Sequence, residues 1–168
     1  MEWIDVSCKS GSARDHAAGT PTVAQLQGEM TRLRITGALV TSVWSDVVSA
    51  DVANPQLFED LASHQNLWPI AELLPEGGEK FLDRQADAVA WMVSEGAVAG
   101  VVKCRKNKHP LTTWCAGSLL EAMSAARLPL MVYHDDVDPN DLFGILQNFS
   151  DLPVILNEIP RVGYNRIA

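Results

Sequence analysis

The chain has 168 residues, 47% of them apolar and 20% charged, which is enough for one well-cored domain and too few for two of ordinary size. Thirteen Lys and Arg stand against twenty-one Asp and Glu, and the formal charge of -8 argues against a general nucleic-acid-binding protein. The longest apolar runs are far shorter than the roughly 18 residues of a membrane span, and the acidic N-terminus is unlike a signal peptide. We therefore expect a cytoplasmic domain with no membrane or nucleic-acid partner.

Six short apolar runs predict six β-strands. In chain order they cover residues 3–6, 36–43, 67–73, 98–102, 129–133 and 153–156. Their centres follow one another at steps of roughly 30 residues, which is the length that one strand, one helix and two loops require. The spacing therefore predicts a chain of repeated βα units.

The segments between the strands carry helix signals. A capping side chain stands directly before a proline at Thr20-Pro21, Asn54-Pro55 and Asp138-Pro139, a pattern that is typical of a helix start. The spacing of apolar residues predicts helices over about 55–63, 79–94, 118–126 and 140–148.

Continuously apolar strands that alternate with helices indicate an α/β fold with a parallel sheet that is buried on both faces. Two architectures remain open at this point: an open doubly wound sheet, or part of a (β/α)8 barrel. A complete barrel typically needs about 250 residues. A barrel built by residues 1–168 would therefore be a single, partial domain that lacks two βα units.

The opening residues 4–11, Ile-Asp-Val-Ser-Cys-Lys-Ser-Gly, resemble the first strand of the amidohydrolase superfamily, which reads Ile-Asp-x-His-x-His followed by small residues. Further segments are similar to the same superfamily, at residues 54–57, 67–70, 100–103, 127–133 and 149–156. The resemblance covers nearly the whole chain as strands one to six. It implies a TIM-barrel-like fold with six of eight βα units, parallel strands in sequential order, and a metal-dependent hydrolase or decarboxylase as relative.

The resemblance implies a divalent metal such as zinc, but its ligands are not retained. The first-strand His-x-His falls on Ser7 and Lys9, the fifth-strand His on Tyr133, and the sixth-strand His near Asn157 or Glu158. The eighth-strand Asp would lie beyond the end of this chain. A hydroxyl and an ammonium cannot replace imidazoles as ligands, and Lys9 would repel the ion. We expect no metal cofactor and a pseudoenzyme that has lost the family's usual chemistry.

In either architecture a binding site lies at the carboxyl ends of the strands. The residues there that we predict to bind a ligand are Ser7, Lys9, Lys103, Arg105, Tyr133 and Glu158. Four of the thirteen basic residues lie between Lys103 and Lys108, which predicts an anion site for a carboxylate or phosphate. The alternative is a solvated loop whose charges only keep it soluble.

Two residues are candidates for catalysis. Glu72 ends the third strand and is either a base or one half of a buried ion pair with Lys9 or Lys103. His134 precedes two aspartates and either forms an acid/base pair with one of them or makes a structural hydrogen bond. Alternation along the first strand places Cys8 opposite Lys9, so we expect a buried and inert thiol.

The sequence supports two hypotheses about function. The first is an amidohydrolase-like hydrolase that acts on a small anionic molecule. The alternative is a non-catalytic protein that binds a small anion, or serves in assembly, on the same scaffold. Because a barrel without two units leaves strands one and six unpaired, a homo-oligomer is a further expectation.

Overall fold

A computed structural model describes residues 2–11 and 21–158. Within them the strands are β1 (Ile4–Ser10), β2 (Gly37–Ser42), β3 (Leu67–Glu72), β4 (Ala99–Val101), β5 (Leu130–Tyr133) and β6 (Val154–Asn157). They form one sheet in the order β1-β2-β3-β4-β5-β6, and every neighbouring pair is parallel. This sequential order confirms the partial TIM barrel and excludes the doubly wound alternative, whose strand order would reverse.

Helices alternate with the strands on the outside of the curled sheet. They are α1 (Val23–Leu33), α2 (Ala50–Leu61), α3 (Gln85–Ser94), α4 (Cys104–Asn107), α5 (Thr113–Ala126) and α6 (Pro139–Asn148). A single 3-10 turn, Trp44–Asp46, follows β2. None of the helices in the described ranges is long and apolar enough to cross a bilayer.

Two of the three predicted helix starts can be compared with the structure, and one of them is confirmed. Asp138 caps α6, with its carboxylate accepting the Asn140 N–H at 2.8 Å. For the first helix, Thr20 lies outside the described residues. The residue that caps α1 is Thr22, which forms a reciprocal pair of hydrogen bonds with Gln25.

The remaining predicted helix start, at Asn54-Pro55, is wrong. The helix α2 begins at Ala50, and Pro55 lies inside it. Asn54 is only 1% exposed, and its amide accepts the Glu72 N–H at 2.9 Å and donates to the Glu72 carbonyl at 2.8 Å. Because β2 pairs with β3 only as far as Pro69, this side chain takes the place of a strand partner at the end of β3.

Two other helices differ from the predicted bounds. The segment predicted from residue 79 is a loop as far as Arg84, because Asp83 within it adopts a positive φ angle that a regular helix does not contain. The helix α5 begins at Thr113, five residues before the predicted start at 118, and its first turn exposes Trp114 but already buries Ala116 in the core.

The apolar core has an outer and an inner layer. Outside, the helices pack on strand residues such as Ala71 and Leu73. Inside, Ile70, Val101 and Met131 meet within the curl of the sheet. Since side chains alternate along a strand, the next inward positions after Ile70 and Val101 belong to Glu72 and Lys103.

A β-bulge interrupts β1. Asp5 pairs with Ala38 and Cys8 with Val40, so that three steps along β1 oppose two along β2. The Asp5 carboxylate accepts the Ser7 N–H at 2.9 Å within the bulge. Cys8 packs in the helix-facing core as predicted, and its burial, followed by the hydrogen bond and charge of Asp5, raises its pKa to about 12.

Candidate functional site

Five charged side chains form a continuous network at the carboxyl ends of the first four strands. Three lysines alternate with two carboxylates in the order Lys9, Asp46, Lys103, Glu72, Lys106. They come from β1, the turn after β2, the end of β3, and the residues that follow β4. A sheet of parallel strands brings these ends to one edge, which we call the mouth of the half-barrel.

Glu72 lies at the bottom of the network, and its side chain is fully buried. Lys106 Nζ lies 3.0 and 3.3 Å from its two carboxylate oxygens, and Asn107 donates to one of them at 2.8 Å. Lys103 Nζ is 3.6 Å away. Of the two roles predicted for Glu72, the structure shows the buried ion pair, formed with Lys103 and Lys106.

Lys103 is almost as deeply buried, with 7% of its side chain exposed. Its ammonium donates to Ser45 Oγ at 2.6 Å and to the Asp46 carboxylate. Lys106 donates to the Val48 carbonyl at 2.9 Å in addition to Glu72. Both ammonium groups therefore neutralise carboxylates of the chain itself.

Asp46 links the buried part of the network to the surface. Burial alone would raise its pKa, but the hydrogen bond and charge of Lys103, with smaller contributions from Lys9 and Lys106, outweigh burial and hold the pKa below its ordinary value. Asp46 is therefore ionised at neutral pH.

Lys9 is the exposed end of the network. Its side chain is 42% exposed, and its ammonium lies 3.7 Å from Asp46 and 5.6 Å from the centre of the Tyr133 ring. Burial raises the pKa of Tyr133, while the charge of Lys9 and a hydrogen bond with Thr41 oppose the rise only in part. A neutral phenol and a loosely paired ammonium thus lie side by side.

A cavity of about 260 Å³ lies over the network. It is lined by Lys9, Asp46, Lys103, Arg105, Lys106, Tyr133, Asp135, Asp136 and Glu158. Five of the six predicted ligand-binding residues are among them. The sixth, Ser7, lies on the inner face of the sheet, where its hydroxyl accepts a hydrogen bond from Asn157 at 3.0 Å.

His134 and its two neighbouring aspartates are engaged separately. His134 is exposed and does not line the cavity. Asp135 lies 3.6 Å from Arg105, and Asp136 accepts the N–H groups of Cys104 and Arg105 at 2.8 and 2.7 Å. Asp136 thus fixes the start of α4, and both carboxylates contact groups other than the imidazole.

Sequence reasoning missed three residues that shape the mouth. Asp46 lies in a 3-10 turn rather than at a strand end, although it stands only three residues after the predicted second strand, residues 36–43. Lys106 belongs to the basic segment between Lys103 and Lys108, and nothing in the sequence distinguishes it from its neighbours. Asn54 was assigned to a helix cap, and no local pattern shows that it bridges the backbone of Glu72.

The residues at the mouth do not fit a divalent metal. At the positions where the resemblance implies imidazoles, the structure has a hydroxyl engaged by Asn157, the ammonium of Lys9 and the phenol of Tyr133. Across residues 2–11 and 21–158, no three or more His, Cys, Asp and Glu side chains form a group that could hold a metal ion. The two carboxylates of the network, the buried Glu72 and the more exposed Asp46, are already neutralised by lysines.

Comparisons with protein-family models and with curated proteins find no match. Solved structures do match. A probable 2-pyrone-4,6-dicarboxylic acid hydrolase from Acinetobacter baumannii, with citric acid bound, is 14% identical with a TM-score of 0.63, over 93% of this chain and 58% of that one.

Two further structures are similar at 10% identity and a TM-score of 0.67, each over 92% of this chain. One is 5-carboxyvanillate decarboxylase from Sphingomonas paucimobilis, and the other is an uncharacterised TIM-barrel protein from Bordetella bronchiseptica. This chain spans 67% and 66% of their lengths. These likenesses establish a TIM-barrel-like fold, which this chain shares with a probable hydrolase and a decarboxylase.

Proposed function

We propose that this chain binds a small organic anion, with at least one carboxylate, in the cavity at the mouth of its half-barrel. The observation that supports the proposal most directly is the exposed ammonium of Lys9. Lys103 and Lys106 are occupied by oxygen atoms of the chain, whereas Lys9 is half-exposed and has a loose 3.7 Å ion pair. Its ammonium therefore keeps hydrogen-bond donors for a ligand.

Positive charge is in excess within the network, although the cavity lining as a whole has four cations and four carboxylates. The network of Lys9, Asp46, Lys103, Glu72 and Lys106 contains one more ammonium than carboxylate. Of the other carboxylates, Asp135 pairs with Arg105, and Asp136 accepts hydrogen bonds from two backbone N–H groups. Glu158 remains as an acceptor for a hydroxyl of the same ligand.

Size and structural similarity agree with this ligand class. A volume of about 260 Å³ suits a small organic acid and excludes a polymer as an enclosed ligand. The similar hydrolase was solved with citric acid bound, and another similar structure is named for a carboxylated aromatic compound. Both support a carboxylate as the group that is recognised here.

The proposed role is binding without the metal-dependent hydrolysis that the resemblance implies, because the mouth supplies ammonium groups where a metal would need donors. Catalysis on the same anion is the second candidate, and the Tyr133 phenol beside Lys9 favours it, since a neutral phenol can donate a proton. The catalytic roles of Glu72 and His134 stay predictions.

Calorimetric titration with citrate tests the proposal. We expect the wild-type chain to bind citrate and Lys9→Gln to bind it about tenfold or more weakly, the effect of one lost charge-assisted hydrogen bond. Lys108→Gln is the matched control, since it removes the same charge from an exposed residue outside the cavity. Equal losses in the two variants, or no binding of citrate and related di- and tricarboxylates, would contradict the proposal.

A further inference from the structure

Two lysines of the network, the buried Lys103 and the partly buried Lys106, are held in place by the chain's own oxygen atoms. Lys103 meets Ser45, Asp46 and Glu72, which belong to the turn after β2 and to the end of β3. Lys106 meets Glu72 and the Val48 carbonyl. Cations fixed in this way cannot turn outward to grip a ligand without leaving a buried carboxylate unpaired.

We infer that the ammonium groups of Lys103 and Lys106 take the place that a divalent metal would have at this mouth. Their positive charge raises the affinity of the cavity for an anion, and they occupy the carboxylates that a metal ion would need. The inference rests on the proposed function and deepens it. It assigns contact with the ligand to Lys9, and it assigns the positive potential beneath the ligand to Lys103 and Lys106. Lys103 and Lys106 therefore act on the ligand through their charge rather than through direct hydrogen bonds.

Competition explains the exclusion of metal. A divalent ion that approached Glu72 or Asp46 would have to displace an ammonium that is covalently attached to the chain and already hydrogen-bonded. Nearby Lys9 would repel it as well. The oxygen atoms that a hard cation would use are thus satisfied before any ion arrives.

The same geometry predicts effects of opposite sign on anion binding. Lys103→Met removes a positive charge beneath the cavity while filling similar volume, and should weaken citrate binding. Glu72→Gln removes a negative charge and can still accept a hydrogen bond, and should strengthen it. We expect changes on the order of fivefold to tenfold in each direction, for a unit charge a few ångströms from the ligand. The double variant should return close to wild-type affinity.

Structural damage cannot imitate this pattern, because damage weakens binding in every variant. If Lys103→Met fails to fold, as far-ultraviolet circular dichroism would show, the strengthening by Glu72→Gln and the metal measurements below decide the matter. Weaker citrate binding in a folded Glu72→Gln chain would overturn the inference.

Metal independence is measured separately. Citrate affinity of the wild-type chain should be the same within twofold in the presence and absence of EDTA, and Mn²⁺ titrated without citrate should show no stoichiometric binding by electron paramagnetic resonance. Loss of citrate binding in EDTA, or one tightly bound Mn²⁺ per chain, would overturn the inference. Absence of citrate binding in every buffer would contradict the proposed function instead, and the Mn²⁺ titration would still decide whether the lysines exclude metal.

Discussion

The side-chain amide of Asn157 donates a 3.0 Å hydrogen bond to the hydroxyl of Ser7, so that β6 touches β1 across the inner face of the sheet. The curl of six strands is therefore strong enough to bring the first and last strands within side-chain reach. In the part of the chain that the structure describes, β1 pairs only with β2, and β6 only with β5. Among residues 2–11 and 21–158, each of these two strands therefore has one edge without a strand partner, called its free edge below.

The free edge of β1 is apolar, which predicts self-association of the 168-residue chain. Trp3, Ile4 and Val6 are all largely exposed there, next to unpaired backbone groups. Ile4→Lys should shift the chain toward monomer in sedimentation velocity, because a charge on an edge strand opposes pairing. Val52→Lys, at an equally exposed apolar position on α2, is the control and should leave association unchanged. A wild-type chain that is a stable monomer at all concentrations would refute this prediction.

Asn54→Ala should lower the free energy of unfolding by about 2 to 4 kcal/mol, because it removes the partner of two buried backbone groups of Glu72. Urea denaturation measures the change. Gln56→Ala serves as control on the same helix, where an exposed amide contacts only Asp60, and it should cost less than about 0.5 kcal/mol. Equal effects of the two substitutions would show that Asn54 does not act as a strand partner.

Asp46 should make the free energy of unfolding depend on pH in the acidic range. Its folded pKa lies below the ordinary value of 3.8, so its contribution is complete above that pH and is lost as the pH falls through the folded pKa. The stability difference between wild type and Asp46→Asn should therefore be largest near neutral pH and should shrink below about pH 4. Urea denaturation from pH 2.5 to 7 checks this, and a difference that is independent of pH would contradict it.

The thiols should resist modification in the folded chain. Burial is the largest cause that raises the pKa of Cys8 and of Cys104, each to about 12, and burial also raises that of Cys115. At pH 8 we expect little reaction of Cys8 and Cys104 with Ellman's reagent, and release of all three thiols in urea. The contribution of these neutral thiols to stability is complete below pH 9.0 and is lost as the pH rises toward 12. Fast labelling of Cys8 in the native state would show that it is not buried as described.

The parallel βα arrangement was predictable from the apolar runs and their spacing, whereas the sequential strand order was implied by the resemblance to the amidohydrolase superfamily. The same reasoning located Lys9, Lys103 and Tyr133 at the cavity, since each follows or ends an inward-facing strand position. Their positions follow from the alternation of side chains along each strand, which is a local property that a sequence carries.

The partners of these residues were not predictable in the same way. Glu72 was expected to pair with Lys9 or Lys103. It does pair with Lys103 at 3.6 Å, but its closest cation is Lys106, which lies on a four-residue helix that has too few residues for a periodic signal. Asn54 precedes a proline and therefore matched a helix cap, although its amide is used 18 residues further along the chain. Contacts of this kind depend on how a loop returns to the sheet, which spacing alone does not determine.

The bulge in β1 determines which side chains of this strand face into the half-barrel. A regular strand that kept Asp5 opposite Ala38 would place Cys8 opposite Thr41, so that the thiol and not the ammonium would point into the half-barrel. By absorbing one residue between Asp5 and Cys8, the bulge returns Lys9 to the position opposite Thr41 and so to the mouth. One surplus residue, accommodated with a hydrogen bond to Asp5, thus decides which chemical group of this segment a ligand would meet.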